Sequence, residues 1–254
     1  MIGKISGIQP LPQWRNLAMQ DALQWTVKSN PRSLESRRLR VVVATIVLNV
    51  IAVALLALFP GSDWRTGLAL NAVDNLILLG FVARNRDLFL GRLVVFGTVV
   101  GIVELAADAW LVDVTHTLDY SVGGGPMIWR SPVWMPLAWQ VVAVQFGTLG
   151  LALLDRLGRW GIVAVALLGA INIPYYEEFA KRIHWWQYHG CRMISNTPYY
   201  IIVGEAGIAA LLAVLATRLK TGGWVRAMGA GVLGGLGIFL CYVLAYQLTD
   251  GRLP

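Results

Sequence analysis

A chain of 254 residues in which 57% are hydrophobic and only 14% charged, with a mean hydropathy of +0.61, falls well short of the roughly 25% charged residues usual in a soluble domain. The composition implies an integral membrane protein. The net charge of +7 comes from Lys and Arg that flank apolar segments instead of forming one patch, so no nucleic-acid partner is expected, and two cysteines without CxxC spacing provide neither a disulfide framework nor a thiolate metal box.

In chain order, residues 1–39 form a polar, basic arm with no short apolar core or small-residue cleavage site, so no cleavable signal peptide is expected. Trp14, Leu17, Ala18, Ala22 and Trp25 recur at helical spacing beside Arg15 and Lys28. This pattern fits an amphipathic helix on the inner membrane surface, or equally a short helix packed on a bundle. Seven apolar segments follow, at about 40–60, 66–84, 92–114, 132–154, 160–180, 198–218 and 225–248, each long enough to cross ~30 Å of hydrocarbon as a helix. The expected fold is therefore all-α: a polytopic bundle of seven transmembrane helices over 40–250, an N-terminal interfacial helix, and an extracytoplasmic tail at 251–254. No period of 20 to 50 residues recurs, which excludes solenoid arrays. With this topology 15 of the 21 Lys and Arg fall on one side, so the positive-inside rule places the N terminus in the cytoplasm of a bacterial-type inner or plasma membrane.

The orientation gives each intramembrane polar residue a depth. Segment two carries Asn71, Asp74 and Asn75 on one face of its outer half, either as interhelical hydrogen-bond glue or as part of a site. Segment three carries Glu104 near its middle and Asp108 one turn above. Trp139 and Gln140 belong to the outer half of segment four, Asn172 and Tyr176 to the end of segment five, Tyr200 and Glu205 to the start of segment six, and Tyr242 to segment seven. Asp113, Glu177 and Glu178 lie at the interface and read as solvated. The inner halves are almost purely Ala, Val, Leu and Gly. An ionisable group at bilayer depth costs about 2.5–3.5 kcal/mol on insertion scales. Glu104, Asp108, Asp74 and Glu205 are therefore expected to converge as catalytic carboxyls, with Asn71, Asn75, Trp139, Gln140, Asn172, Tyr176, Tyr200 and Tyr242 contacting the substrate.

Several chemistries lack their residues. His184 and His189 are five apart, off a common helical face, and the third histidine is His116, so no metal site is expected. The four lysines sit at ends or in loops, where none can hold a Schiff base inside the bundle. No phosphate loop and no GxSxG elbow occur, and Ser121, Ser131 and Ser195 are all in loops. What fits is Brønsted acid chemistry in an apolar, aromatic cage, with no cofactor: a carboxyl protonates an alkene or epoxide and aromatic faces stabilise the cation by ~0.5–2 kcal/mol each. Two carboxyls one turn apart in a dry site are not both ionised, and Glu104, the deeper, is expected as donor with Asp108 as base or water holder.

Glu104 followed by Gly125-Pro126, then Ser131-Pro132 and Pro136-Leu137-Ala138-Trp139, resembles the membrane-bound carotenoid hydratases of the bisanhydrobacterioruberin hydratase type, which carry an acid, a Gly-Pro and a Pro-Leu-Ala-Trp leading into the next helix. Their Thr-Gly-x-Pro-Phe-Gly signature is absent; Thr117-Leu118-Asp119-Tyr120 stands there. In layout alone the chain is also similar to the small integral-membrane terpene cyclases of meroterpenoid pathways. Both resemblances imply isoprenoid chemistry on a hydrophobic small-molecule or lipid substrate drawn from the membrane. A proton- or cation-coupled transporter and a non-catalytic subunit of a membrane complex stay open as alternatives, and no oligomeric state follows.

Overall fold

The structure is a computed structural model that describes residues 31–250. It divides into a unit of Met1–Arg37 and one of Arg38–Pro254; of the first, the described residues are helical. The amphipathic helix expected around Trp14–Trp25 and the tail at 251–254 lie outside the described residues.

Seven helices among the described residues are long and apolar enough to cross a membrane. They are α1 (Pro31–Leu56), α2 (Trp64–Asn85), α3 (Leu88–Asp113), α4 (Met135–Leu157), α5 (Trp160–Ile183), α6 (Tyr199–Thr217) and α7 (Trp224–Thr249). The largest departure from the expected boundaries is α1, which begins about nine residues before the expected 40. Its arginines are good helix formers, and Pro31 suits a first helical position. Arg38 then donates through Nε and Nη2 to the two oxygens of Asp87 at 2.8 and 2.9 Å, while Asp87 also caps α3 by accepting from the Phe89 and Leu90 amides. One carboxylate thus fixes α1 against the start of α3.

The helix α3 packs against α4 and α7, and α6 against α4, α5 and α7; α1 touches its neighbours sparsely. Close crossings are made by glycines where a side chain would collide with a facing backbone: Gly101 with Pro136, Gly97 with Gln140, and Gly169 with Glu205. The outward surface is apolar. On α1, Val43, Val47, Ile51 and Leu55 repeat every four residues as an exposed stripe, and α7 exposes Leu233, Leu236, Leu240 and Leu244. Such a continuous apolar surface suits hydrocarbon and would aggregate in water.

The structure is all-helical in class, and its loops add short strand pairs. Between α3 and α4, and between α5 and α6, the chain forms short strands: β1 (Leu118–Asp119), β2 (Met127–Ile128), β3 (Ser131–Pro132), β4 (Gln187–Tyr188), β5 (Met193–Ile194) and β6 (Thr197–Pro198). The loops contain unpaired backbone groups beneath buried side chains, and pairing satisfies them. β2 and β3 form one hairpin and β5 and β6 another, while β1 joins β4 across the two loops.

Replacing Gly101 with Ala, whose Cβ would strike the Pro136 carbonyl, should destabilise the bundle by about 1–3 kcal/mol. Gly80→Ala, which meets open space, should be neutral or mildly stabilising. Thermal unfolding of the two purified variants in detergent checks the pair; equal melting would refute the close α3–α4 crossing.

Candidate functional site

At the hairpin end of the bundle, helix backbone groups are committed to the helices, so any buried carboxyl there must find side-chain donors. Asp108, in the last two turns of α3, finds two. Its Oδ2 accepts from the Tyr120 hydroxyl at 2.8 Å and from the Ser131 hydroxyl at 2.7 Å. One turn deeper, Glu104 is fully buried with both oxygens unpartnered in hydrogen-bond geometry among the described residues. It lies beside the Asp108 carboxyl and the Trp139 indole, with Glu205 within electrostatic reach. Glu205, on α6, accepts from the Tyr242 hydroxyl at 2.6 Å.

A fourth acid joins these three. Glu177, expected to be solvated, is instead buried on α5, where its Oε2 accepts from the Trp186 indole at 2.5 Å and its Oε1 from the Tyr188 hydroxyl at 3.4 Å. Glu205 and Asp108 are both close enough to influence it. The signal lay in its neighbour: Glu178 pairs with Arg182 at 2.8 Å one turn on, and accepts from Asn196. That claims the outward face of α5 for Glu178 and turns Glu177 inward. The Tyr120 and Tyr188 phenols, which belong to the loops, are pushed well above the usual tyrosine range, first by burial and then by the carboxylates beside them. Both therefore remain hydrogen-bond donors.

This arrangement repeats within the chain. His116 and His184 follow α3 and α5 in the left-handed conformation, with φ of 52° and 63°. Asp119 and Gln187, each three residues later, pair directly in the β1–β4 ladder, and Gln187 donates to Asp119 at 3.0 Å. One residue further on are Tyr120 and Tyr188, each donating back to an acid on its preceding helix. Met-Ile-Trp-Arg-Ser-Pro and Met-Ile-Ser-Asn-Thr-Pro then form matching hairpins, in identical register, with Trp129 and Ser195 at φ of 55° and 56°. The α3–α4 and α5–α6 loops thus share one backbone plan, and the two halves of the bundle meet where Asp119 pairs with Gln187. The repeated Met-Ile-x-x-Ser/Thr-Pro was the available sequence signal, at a spacing beyond that of repeat arrays.

Between the halves lies a cavity of about 280 Å³. It is slightly below the common range for small-molecule sites, roughly 300–1,000 Å³. Asp108, Glu177 and Glu205 line it, as do Asn71, Trp139, Asn172, Tyr176 and Tyr242. Five expected site residues do not. Glu104 stands behind Asp108. Asp74, fully buried, faces Asn49 of α1 and stands apart from the other acids. Asn75 and Gln140 satisfy one another: the Gln140 amide donates to Asn75, while the Thr98 hydroxyl donates to Gln140 at 2.9 Å. They tie α2, α4 and α3 together, a use worth about 0.6 kcal/mol per contact. Tyr200 is fully buried, bonded to the Thr117 hydroxyl at 2.7 Å and edge-on to Tyr188 and Tyr246. Contacts that sequence reasoning missed are Asn49, Tyr120, Trp186 and Tyr188. Among the described residues, no three or more His, Cys, Asp or Glu gather in an arrangement for a metal ion.

The β1–β4 pairing of the loops has a direct check. Asp119→Cys with Gln187→Cys, in a chain whose own cysteines are replaced by Ser, places two thiols at directly opposed ladder positions with Cα atoms about 4.5–5.5 Å apart, within disulfide range. Mild oxidation should give a near-quantitative intramolecular crosslink, read as a reducible shift of proteolytic fragments. Ser121→Cys with Gln187→Cys should crosslink poorly.

No curated protein and no solved structure matches the chain. A family profile does, over residues 105–249, which is more than half of the sequence. The matched stretch begins one residue after Glu104 and takes in Asp108, both repeated loops, Glu177, Glu205 and Tyr242. The chain thus belongs to the family described as a domain of unknown function, DUF6989.

Proposed function

We propose that the protein is an integral membrane enzyme that acts on an isoprenoid or other lipid substrate by acid-initiated carbocation chemistry in this cavity. The observation that carries the reading is a largely apolar and aromatic cavity into which carboxyls project from facing walls: Asp108 backed by Glu104 on one, Glu177 and Glu205 on the other. Bundle depth argues against a through path for transport, since the halves of the helices beyond the cavity are almost purely Ala, Val, Leu and Gly.

Asp108 takes the donor role at the substrate, because it touches the cavity and Glu104 does not. Glu104 serves as a positioning residue: side by side, the two carboxyls share a proton and so keep the Asp108 oxygen that faces the cavity able to give one up. Transfer of that proton to one carbon of an alkene, or to an epoxide oxygen, leaves a carbocation. The faces of Trp139, Trp186 and Tyr176 hold the cation. It then loses a C–H proton to Glu177 or Glu205, giving an isomerised or cyclised product. Alternatively it captures water, whose extra proton goes to the same carboxylate, giving a hydrated one. Either outcome is redox-neutral and the proton returns to Asp108. The carotenoid hydratases and the small membrane cyclases, which the chain resembles, span these outcomes.

Asp108→Asn and Glu104→Gln should each lower conversion at least about 100-fold, while Glu178→Gln, whose carboxyl bonds to the exposed Arg182, should not. Mass spectrometry of lipid extracts from cells with matched expression reads the result, and full conversion by both acid variants sinks the acid-initiated reading.

The same proposal orients the bundle with the hairpin end outside and the N terminus in the cytoplasm, following the cluster of Arg at the other end. Ser121→Cys, at an exposed position of the first loop, should react with a membrane-impermeant maleimide in intact cells. Reaction only after lysis would invert the orientation.

A further inference from the structure

The cavity has a second polar pole that acid chemistry leaves unused. It belongs to the α1, α2 and α5 side of the cavity: on α5, Tyr176 immediately precedes Glu177, and Asn172 is four residues further in, about 6 Å deeper along the helix axis. Asn49, Asn71, Asn172 and Tyr176 line this pole from three helices. Asn49 is 9% exposed, and its Oδ1 has no hydrogen-bond partner among the described residues. Its side chain is placed against the Asp74 carboxyl behind it. The Asn71 amide nitrogen donates to the Gly67 carbonyl at 2.9 Å, which directs its oxygen away from that turn. Counted along the chain, Asn172 and Tyr176 stand where Glu104 and Asp108 stand in the other half, twelve and eight residues before the left-handed histidine. Of these four, Asp108, Asn172 and Tyr176 reach the cavity.

Buried amides and hydroxyls without partners cost free energy unless something bonds to them. The lining of the cavity contains no Lys, Arg or His, and Asp74, Asp108, Glu177 and Glu205 surround it with acids. An anionic group such as a diphosphate would meet no countercharge there. At the cavity the Asn49 and Asn172 amides and the Tyr176 hydroxyl can both donate and accept. A hydroxyl meets these demands together.

We infer that the Asn49–Asn71–Asn172–Tyr176 pole is a head-group site for an uncharged, hydroxyl-bearing end of an otherwise apolar lipid. The inference rests on the reading of the cavity as a lipid-substrate site, and adds that the substrate is an alcohol or phenol in place of a bare hydrocarbon or a phosphate ester.

The test is binding, which needs no turnover. Tritiated farnesol is bound to the purified full-length protein in nanodiscs and displaced with unlabelled farnesol, the matching hydrocarbon farnesene, or farnesyl diphosphate. Farnesol should bind at least tenfold more tightly than either competitor. Asn172→Leu and Asn49→Leu, each verified by its melting curve, should bring farnesol within about threefold of farnesene. Glu178→Gln, whose carboxyl pairs with Arg182 outside the cavity, should keep the full preference. Equal competition by farnesene, stronger competition by the diphosphate, no farnesol binding by the wild-type protein, or a preference that survives both Leu variants overturns the inference. Preference without conversion in cells would instead defeat the proposed chemistry and leave the head-group site standing, and conversion without preference would do the reverse.

Discussion

Four carboxyl groups buried at one end of an apolar bundle set the terms for the rest of this structure. Inside a helix every amide beyond the first turn is committed to its own backbone, so Asp108, Glu177 and Glu205 can be stabilised only by side chains that arrive from elsewhere. Tyr242 reaches Glu205 from a neighbouring helix. For the other two the donors come from the loops: Tyr120 and Ser131 for Asp108, Trp186 and Tyr188 for Glu177. A buried acceptor that loses its donor costs about 1–3 kcal/mol, more when charged. That penalty explains why connections which could have been mobile turns are folded into strand pairs and hairpins, with Tyr120, Ser131 and Trp185 buried beneath them. Glu104 is the member left without a conventional donor, beside the Asp108 carboxyl and the Trp139 indole.

The repeated loop solves a placement problem economically. One helix–loop–helix unit that aims a loop phenol at an acid on its own first helix, used twice, yields two walls that face each other across a cavity. Symmetry of the backbone does not require symmetry of the side chains. Glu104 and Asp108 on one wall correspond to Asn172 and Tyr176 on the other, and Trp139 corresponds to Glu205, since each stands seven residues after the proline that closes its hairpin. The backbone repeat fixes where groups point, and divergence at these positions gives the walls different chemistry.

Much of the helical frame was legible because hydropathy reports it directly: the seven segments fell on the seven helices, and only α1 moved substantially, since its arginines continue a helix that hydropathy alone would start later. The depth argument located Asp108, Glu205, Trp139, Asn172, Tyr176 and Tyr242 at the cavity. It failed where depth and facing diverge. Asn75 and Gln140 are at the right depth, but their amides meet each other; Tyr200 is at the right depth and points into packed aromatics. Glu177 was misread for the opposite reason, since nearness to a helix end suggested water, while loop residues folded over it. Asn49 was overlooked because a single amide in α1 has no periodic partner on its own helix; its significance comes from Asp74 on the next. Facing and loop folding are tertiary facts, and hydropathy along one chain does not contain them.

The extent of the family match divides the cavity in a physically meaningful way. Residues 105–249 contain every donor and acceptor pair that holds Asp108, Glu177 and Glu205. Outside that stretch lie Asn49, Asn71 and Asp74, on the two helices that pack least tightly on the others. α1 is fixed to α3 by Arg38 and Asp87 at one end, while along its length it leans on the bundle through single contacts such as the Tyr175 hydroxyl on the Val50 carbonyl at 2.5 Å. A wall held in this way can shift without disturbing the hydrogen bonds around the acids, because no donor to those carboxyls comes from it. The firmly packed part of the cavity is therefore the part that holds the acids. The α1 and α2 side, which carries Asn49 and Asn71, is the side that packs most loosely on the rest.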